Sequence, residues 1–306
     1  MLSHIARRFF EAMIILLGIT IVTYMLLYLF PADPVRQIAG RSATPETVNN
    51  IRHQLGLDLP VYEQYWRYLS SLVQGDFGRS YIQKTEVAEL IWSRLPASLL
   101  LMVAAISVEL LLGLTMGVIS AVKRNSTVDN SLMVVSFVGV SAPQFVVGIL
   151  LLYVFAVQLG WFPIGGYGTA KHLVLPALTL GLLGSGWYAR MMRSSMLNVL
   201  EQDFIRTARA KGVSKLRVIL RHAVPNALLP IIAMIGIDIG IFMSGIVVVE
   251  SVFGWPGIGQ LAWQAIQRVD IPIIMGVTLV AACSIVIGNF LADIIALFVD
   301  PRIKLK

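Results

Sequence analysis

Residues 131–170 read SLMVVSFVGVSAPQFVVGILLLYVFAVQLGWFPIGGYGTA, forty positions without an Asp, Glu, Lys or Arg. A helix that spans a bilayer needs about 20 predominantly apolar residues. This run is too long for one straight span, so Pro143 is expected to kink it or its far end to lie in the membrane interface. The rest of the chain agrees. Of 306 residues, 57% are apolar and 13% are charged, about half the charged share of an ordinary soluble domain. Mean hydropathy is +0.78. So few polar residues cannot cover a soluble globule, which excludes a water-soluble enzyme, and disorder needs low hydrophobicity, which excludes a disordered chain.

Working outward, five more stretches are long and apolar enough to span: 9–30, 95–122, 173–192, 228–249 and 271–299, with 131–162 as the third of six. The expected fold is all-α, a polytopic membrane protein with six transmembrane helices. Arg7 and Arg8 precede the first stretch as in a signal peptide, but its 22 residues exceed a typical apolar core and no small-residue cleavage site follows, so an uncleaved helix is expected. Orientation follows the short loops. With the N-terminus in the cytoplasm, 15 of the 24 Lys and Arg lie inside, and seven of the other nine fall in the long segment 31–94, where seven acids balance them. Both termini are therefore placed in the cytoplasm. Residues 1–30 form an anchor helix, 31–94 an extracytoplasmic segment, and 95–306 a five-helix core with one sizeable cytoplasmic loop, 190–225. No internal repeat is evident, which weighs against inverted-repeat secondary transporters.

The chemistry-bearing residues are few. The single cysteine, Cys283, and four dispersed histidines exclude a disulfide framework and disfavour a metal centre. No G-x-x-x-x-G-K-[ST] occurs, so no P-loop binds ATP here. Gly184-Ser185-Gly186 resembles a nucleophile motif, yet no histidine lies in a later span to act as base, and small-residue helix packing is the better reading. Gly113/Gly117 and Gly236/Gly240 have the spacing for close helix approach, within the chain or at a subunit interface. Glu109, Asp238 and Asp293 are carboxyls inside spans, where ionisable groups are costly. They are either coupling or cation sites, or hydrogen-bonded acids facing the bundle interior or a wet path. The second reading is preferred, because the three are scattered in sequence.

The loop 190–225 carries eight basic residues and two acids but has a helical pattern. Asp203 is placed to cap a helix over 204–211. Gly212 falls where a left-handed residue ends one. Ser214 is placed to cap a second helix, whose Val213, Leu216, Ile219 and Leu220 make an apolar face and which Pro225 ends. Two short helices around a glycine suit a docking knob for a protein, and a basic amphipathic helix on anionic lipid is the alternative.

Arg206-Thr207-Ala208-Arg209-Ala210-Lys211-Gly212, followed by His222-Ala223-Val224-Pro225, resembles the EAA loop of ABC importer permeases: EAA, three residues, Gly, nine residues, I-x-L-P. Arg206, Thr207, His222 and Val224 depart from it, but the R-T-A-R-A-K-G form is typical of the dipeptide, oligopeptide and nickel branch. Further marks of that branch are Gly75-Asp76-Phe77-Gly78-Arg79-Ser80, Val249-Glu250-Ser251-Val252-Phe253-Gly254-Trp255-Pro256-Gly257-Ile258-Gly259 and Asp300-Pro301-Arg302. The resemblance covers the whole chain and is nearest to permeases with a long external segment, including those of dipeptide and glutathione importers.

The resemblance implies a type I ABC importer permease fold in a bacterial or archaeal inner membrane. It implies a second, related permease, two cytoplasmic ATPases that hold ATP and Mg, and an extracytoplasmic solute-binding protein. This chain would be a non-catalytic subunit with no cofactor of its own, surrounded by lipid, with no nucleic-acid partner. Arg206, Thr207, Ala208, Lys211, Gly212, Val213, Leu216 and Pro225 would form the ATPase-coupling loop. Glu109, Asp238 and Glu250 are the candidate pathway or gate residues, and Gly75, Asp76 and Gly78 the external family motif. The implied solute is peptide-like (a dipeptide, an oligopeptide or glutathione), with a nickel chelate or an oligosaccharide as the alternative. A proton-coupled secondary transporter is the alternative of another class. The external segment is expected to be folded, with an apolar stripe through Tyr62, Tyr65, Trp66, Tyr68, Leu69 and Leu72, and then a turn at Gly75-Asp76-Phe77-Gly78.

Overall fold

A computed structural model describes residues 2–29, 34–40, 43–243 and 246–299. The architecture is all-α. Among the described residues, extended pairing is confined to one antiparallel bridge between Arg79 and Glu86. The helices are α1 (Leu2–Leu29), α2 (Pro34–Ala39), α3 (Pro45–Gln54), α4 (Val61–Val73), α5 (Val87–Val122), α6 (Thr127–Ser141), α7 (Gln144–Leu151), α8 (Ala170–Leu200), α9 (Asp203–Ala210), α10 (Lys215–Arg217), α11 (Val224–Ala227), α12 (Leu229–Met243), α13 (Val247–Val252), α14 (Ile258–Arg268) and α15 (Ile271–Val299). Val87–Val122 and Ile271–Leu291 are each long and apolar enough to cross a bilayer. Two bent pairs, Thr127–Ser141 with Gln144–Gln158 and Lys215–Ala227 with Leu229–Met243, bring the number to four if each is one span.

The long uncharged run is broken where the sequence placed the break. Ala142 and Pro143 are both extended, with ψ of 133° and 130°, and the two halves meet at 102°. Proline supplies no N–H to the helix ladder and pushes the preceding residue out of the helical region. Beyond it, α7 continues into a π-helical stretch, Leu152–Gln158.

Packing divides the chain into two compact bodies. The first comprises the described residues of 2–98, 243–247 and 256–286. In it α4 lies on α1. The Tyr65 hydroxyl is 2.9 Å from that of Thr20, and Tyr24 donates to Gln64 at 3.1 Å. The external segment is thus folded. Its aromatic stripe is split, however: Tyr65 and Tyr68 pack on Tyr24, whereas Tyr62 and Trp66 stand exposed. The second body comprises residues 99–242, 248–255 and 287–299. Its core is α8, with α6 packed along one side and α5 along another. A Cβ at Gly113 would meet Ser185 O at 2.8 Å, and one at Gly117 would meet Ala189 O and Met192 Cβ at 2.6 Å. These glycines serve close packing within the chain. The same holds for Gly186, whose missing side chain admits the Ser136 backbone.

The fourth apolar stretch does not end at Met192. α8 runs on to Leu200, because its charged residues are accommodated without breaking the helix. Arg193 pairs with Asp129, and the Arg190 guanidinium stacks on Phe137 and Trp187 at 4.8 and 4.3 Å.

Candidate functional site

The basic segment after α8 folds as a two-helix knob. α9 spans Asp203–Ala210, with Gln202 at the capping position. Asp203 is therefore the first helical residue and not the cap expected from sequence; its negative charge still favours the helix N-terminus. At the other end Gly212 has φ +77°. Its N–H reaches Arg209 O at 3.0 Å, and the Val213 N–H reaches Ala208 O at 3.2 Å. This pair of bonds is a Schellman stop, which needs the left-handed residue that glycine supplies. Ser214 precedes α10 as expected, but its side chain makes no capping bond; its carbonyl accepts from Val218 N–H at 2.9 Å.

Two further expectations need correction. The inner face of the second helix is Val218 and Ala223, both buried, with Val213 and Ile219 partly so, whereas Leu216 and Leu220 are exposed. A π-helical turn, Val218–Ala223, shifts the phase that a 3.6-residue period assumes. Nor does Pro225 end the element. It stands at the start of α11, where a missing N–H is tolerated, and the Asn226 side-chain amide donates to His222 O at 2.7 Å. The 50° bend comes between Ala227 and Leu229.

The knob is fixed to the rest of its body by one apolar cluster. Ile205, Ala208, Val218, Ala223 and Ala227 pack with Ala121 of α5 and Tyr188, Met192 and Met196 of α8. Ser195 Oγ donates to Ala227 O at 2.9 Å. Arg206, Thr207, Lys211 and Gly212 face outward. Arg206 lies 3.5 Å from Asp203, and the Thr207 hydroxyl donates to Asp203 O at 3.0 Å.

Beside the knob lies an ion pair the sequence reading missed. Asp129 is buried and accepts from Arg193 twice, at 2.7 Å each, from Asn125 N–H at 2.9 Å and from the Ser120 hydroxyl. The Arg193 bonds chiefly, with those from Ser120 and Asn125, hold its carboxyl well below the usual carboxylate range. One signal was present: Ser126, three residues ahead, caps α6 by accepting from Asp129 N–H, the spacing of a capping box.

Two of the three intramembrane acids, scattered in sequence, are together in the fold. Asp238 of α12 accepts from the Tyr188 hydroxyl, and the Glu109 carboxyl of α5 lies beside it. Glu109 is 3% exposed, and its carboxyl occupies the space a Cβ at Gly184 would need. The Asp293 side chain, and Asp300-Pro301-Arg302, lie outside the described residues. Glu250 is fully buried in α13, and its carbonyl accepts from Trp255 N–H at 2.8 Å.

In the first body, Gly75 and Gly78 have φ of +82° and +80°, and Gly78 N–H donates to Asp76 Oδ1 at 2.7 Å, so the external motif is the expected turn. Its continuation carries a residue that went unnoticed. Asp270, buried between α14 and α15, accepts from Ser80 Oγ at 2.5 Å, Tyr81 N at 3.1 Å and Ile82 N at 3.2 Å. Burial, then the Asp270 charge, pushes the Tyr81 phenol up to about 12. No short-range pattern links positions 190 residues apart.

Apolar helices long enough to cross a bilayer, some bent at defined points, and a polar cluster buried among them fit a multi-pass membrane protein. The chain belongs to the family described as binding-protein-dependent transport system inner membrane component, which matches residues 113–305, and the N-terminal family of the same systems matches residues 1–102. It is an inner-membrane permease of the ABC importer class. It is 37% identical over 306 residues, the whole of both chains, to the glutathione transport system permease protein GsiC of Escherichia coli strain K12, and equally to that of Shigella dysenteriae serotype 1. In fold it resembles chains of the MetNI methionine ABC transporter in inward-facing conformations. The two matches have TM-scores of 0.56 and 0.55, each at 19% identity; they cover 69% and 70% of this chain and 96% and 97% of the other.

Proposed function

We propose that this permease imports a peptide-like solute, a dipeptide, an oligopeptide or glutathione, handed to it by an extracytoplasmic binding protein and driven by ATP hydrolysis on two partner ATPases. A second, related permease completes the pathway. ATP and Mg bind only the partners. Both termini and the 203–225 knob face the cytoplasm, and residues 31–94 face outward, where exposed Tyr62 and Trp66 are available to the binding protein.

The observation that carries this reading is the knob itself. It is stopped at Gly212, bonded to α8 through a buried core, and presents Arg206, Thr207, Lys211, Leu216 and Leu220 outward. A surface for lipid alone needs no such rigid attachment. Full-length likeness to glutathione permeases supports the peptide class. Glu109 and Asp238 leave a proton-coupled carrier as the second reading, since intramembrane carboxyls serve proton relays elsewhere.

The test is Gly212→Val. Open space surrounds Gly212, so the substitution strains only the backbone, by about 1–2 kcal/mol, and turns the second helix relative to the first. Expected are normal membrane insertion, loss of ATP-driven uptake and weakened copurification of the ATPases. Full transport by this variant refutes the docking knob.

A further inference from the structure

We propose that Tyr188, Asp238 and Glu109 form the joint through which α8, acting as a lever from the cytoplasmic knob, moves α12 and α5 within the membrane. This rests on the reading of 203–225 as the ATPase-docking knob.

The lever is visible in the packing. α8 is one helix of 31 residues, about 46 Å long at 1.5 Å per residue. Its last turns, through Met192 and Met196, share a core with Ile205, Ala208, Val218 and Ala223 of the knob, so a push on the knob is a push on α8. Tyr188 is the membrane-side end of that core, and its hydroxyl leaves it to reach Asp238 on α12. The Glu109 carboxyl of α5 lies beside Asp238. The loop closes on α8 itself, because the Glu109 carboxyl lies over Gly184, one turn from Tyr188.

Elsewhere in this body α5 and α8 meet closely through glycines and apolar side chains, contacts without directional bonds. The polar cluster differs. Breaking the Tyr188–Asp238 bond away from water leaves an unpaired polar group, worth far more than a lost apolar contact. The three helices are therefore tied at one point. Glu109 Oε2 is buried without a hydrogen-bond partner, a spare position that a second arrangement of the helices can use. Interfaces with two discrete pairings are what switching transporters need.

Arg190 turns away to Phe137 and Trp187, and Arg193 to Asp129, so neither supplies a countercharge. Glu109 and Asp238 therefore act as positioning residues.

The experiment uses the full complex with its companion permease, ATPases and binding protein, with spin labels at Leu111 on α5 and Ile237 on α12 in a Cys283→Ser background. The wild-type complex should change its label distance on adding a non-hydrolysable ATP analogue. Tyr188→Phe and Glu109→Leu should keep the ATPases bound and hydrolysing ATP, lose the distance change, and transport at least tenfold less glutathione per ATP. Glu109→Gln should restore both, because its side chain fills the same space over Gly184 and its amide can donate to the neighbouring Asp238. A Tyr188→Phe complex with the wild-type distance change and transport ratio overturns the joint alone. So does a fall in folded complex with the ratio intact. A wild-type complex with no nucleotide response overturns the docking reading and the joint with it.

Discussion

Arg193 holds Asp129 through two parallel hydrogen bonds of 2.7 Å, Nε to Oδ1 and Nη2 to Oδ2. The pair fixes the start of α6 to α8 where α8 leaves its apolar stretch. Arg193→Ala leaves the acid buried without its partner and should cost about 3–5 kcal/mol, seen as a lower melting midpoint of the complex in lipid. Arg193→Lys should recover only part, since a lysine cannot reproduce the two-pronged contact. A midpoint unchanged in Arg193→Ala contradicts this assignment.

The same pair sets a pH dependence. The folded-state acidity of Asp129 is shifted below its unfolded value, so its contribution is present above the unfolded pKa of about 3.9 and is lost as pH falls through the folded value. The stability difference between wild type and Asp129→Asn should therefore be flat from about pH 5 to 8 and shrink only in stronger acid. Thermal unfolding across that range checks it, and a difference that changes between pH 6 and 8 contradicts it.

Asp270 ties the external turn to the α14–α15 junction with three donors. Asp270→Ala leaves the Ser80 hydroxyl proton and two backbone N–H groups without their acceptor, at about 1–3 kcal/mol for each that water does not reach, although Ser80 Oγ still accepts from Gln83 N–H. Hydrogen exchange at Tyr81 and Ile82 should rise at least tenfold, with little change at Asp76–Gly78, whose turn is closed locally. Unchanged exchange at Tyr81 and Ile82 removes Asp270 from this role.

On the knob, Leu216 and Leu220 are 67% and 57% exposed and lie one turn apart. Large apolar residues turned outward beside a buried inner face mark a contact surface. Leu216→Asp with Leu220→Asp should abolish ATPase copurification while leaving the fold intact, as neither side chain enters the core. Lys215→Ala with Arg217→Ala should do less, an exposed charge pair being worth about 0–1 kcal/mol. The reverse ranking would identify a lipid surface.

What the sequence made legible were features with a local cause. The break at Pro143, the left-handed Gly212 and the Gly75–Gly78 turn each follow from one residue's backbone freedom, and the structure has all three. What it hid were long-range meetings. Glu109 and Asp238 looked scattered because 129 positions separate them in the chain, and only the folding of α5, α8 and α12 brings them together. Asp129 and Asp270 sat at helix ends as ordinary polar residues until their partners were placed. The phase error at Leu216 has another origin: the π-helical turn at Val218–Ala223 breaks the period on which apolar faces are read from sequence.

The central claim is that partner ATPases, and not an ion gradient, drive solute through this chain. Its most direct test is uptake of labelled glutathione and a labelled dipeptide into proteoliposomes containing the whole complex, with ATP inside and binding protein outside. The account predicts uptake that requires both ATP and the binding protein, persists with a protonophore, and disappears in Gly212→Val. Uptake by this chain without the ATPases, collapsing when the proton gradient is discharged, would contradict it.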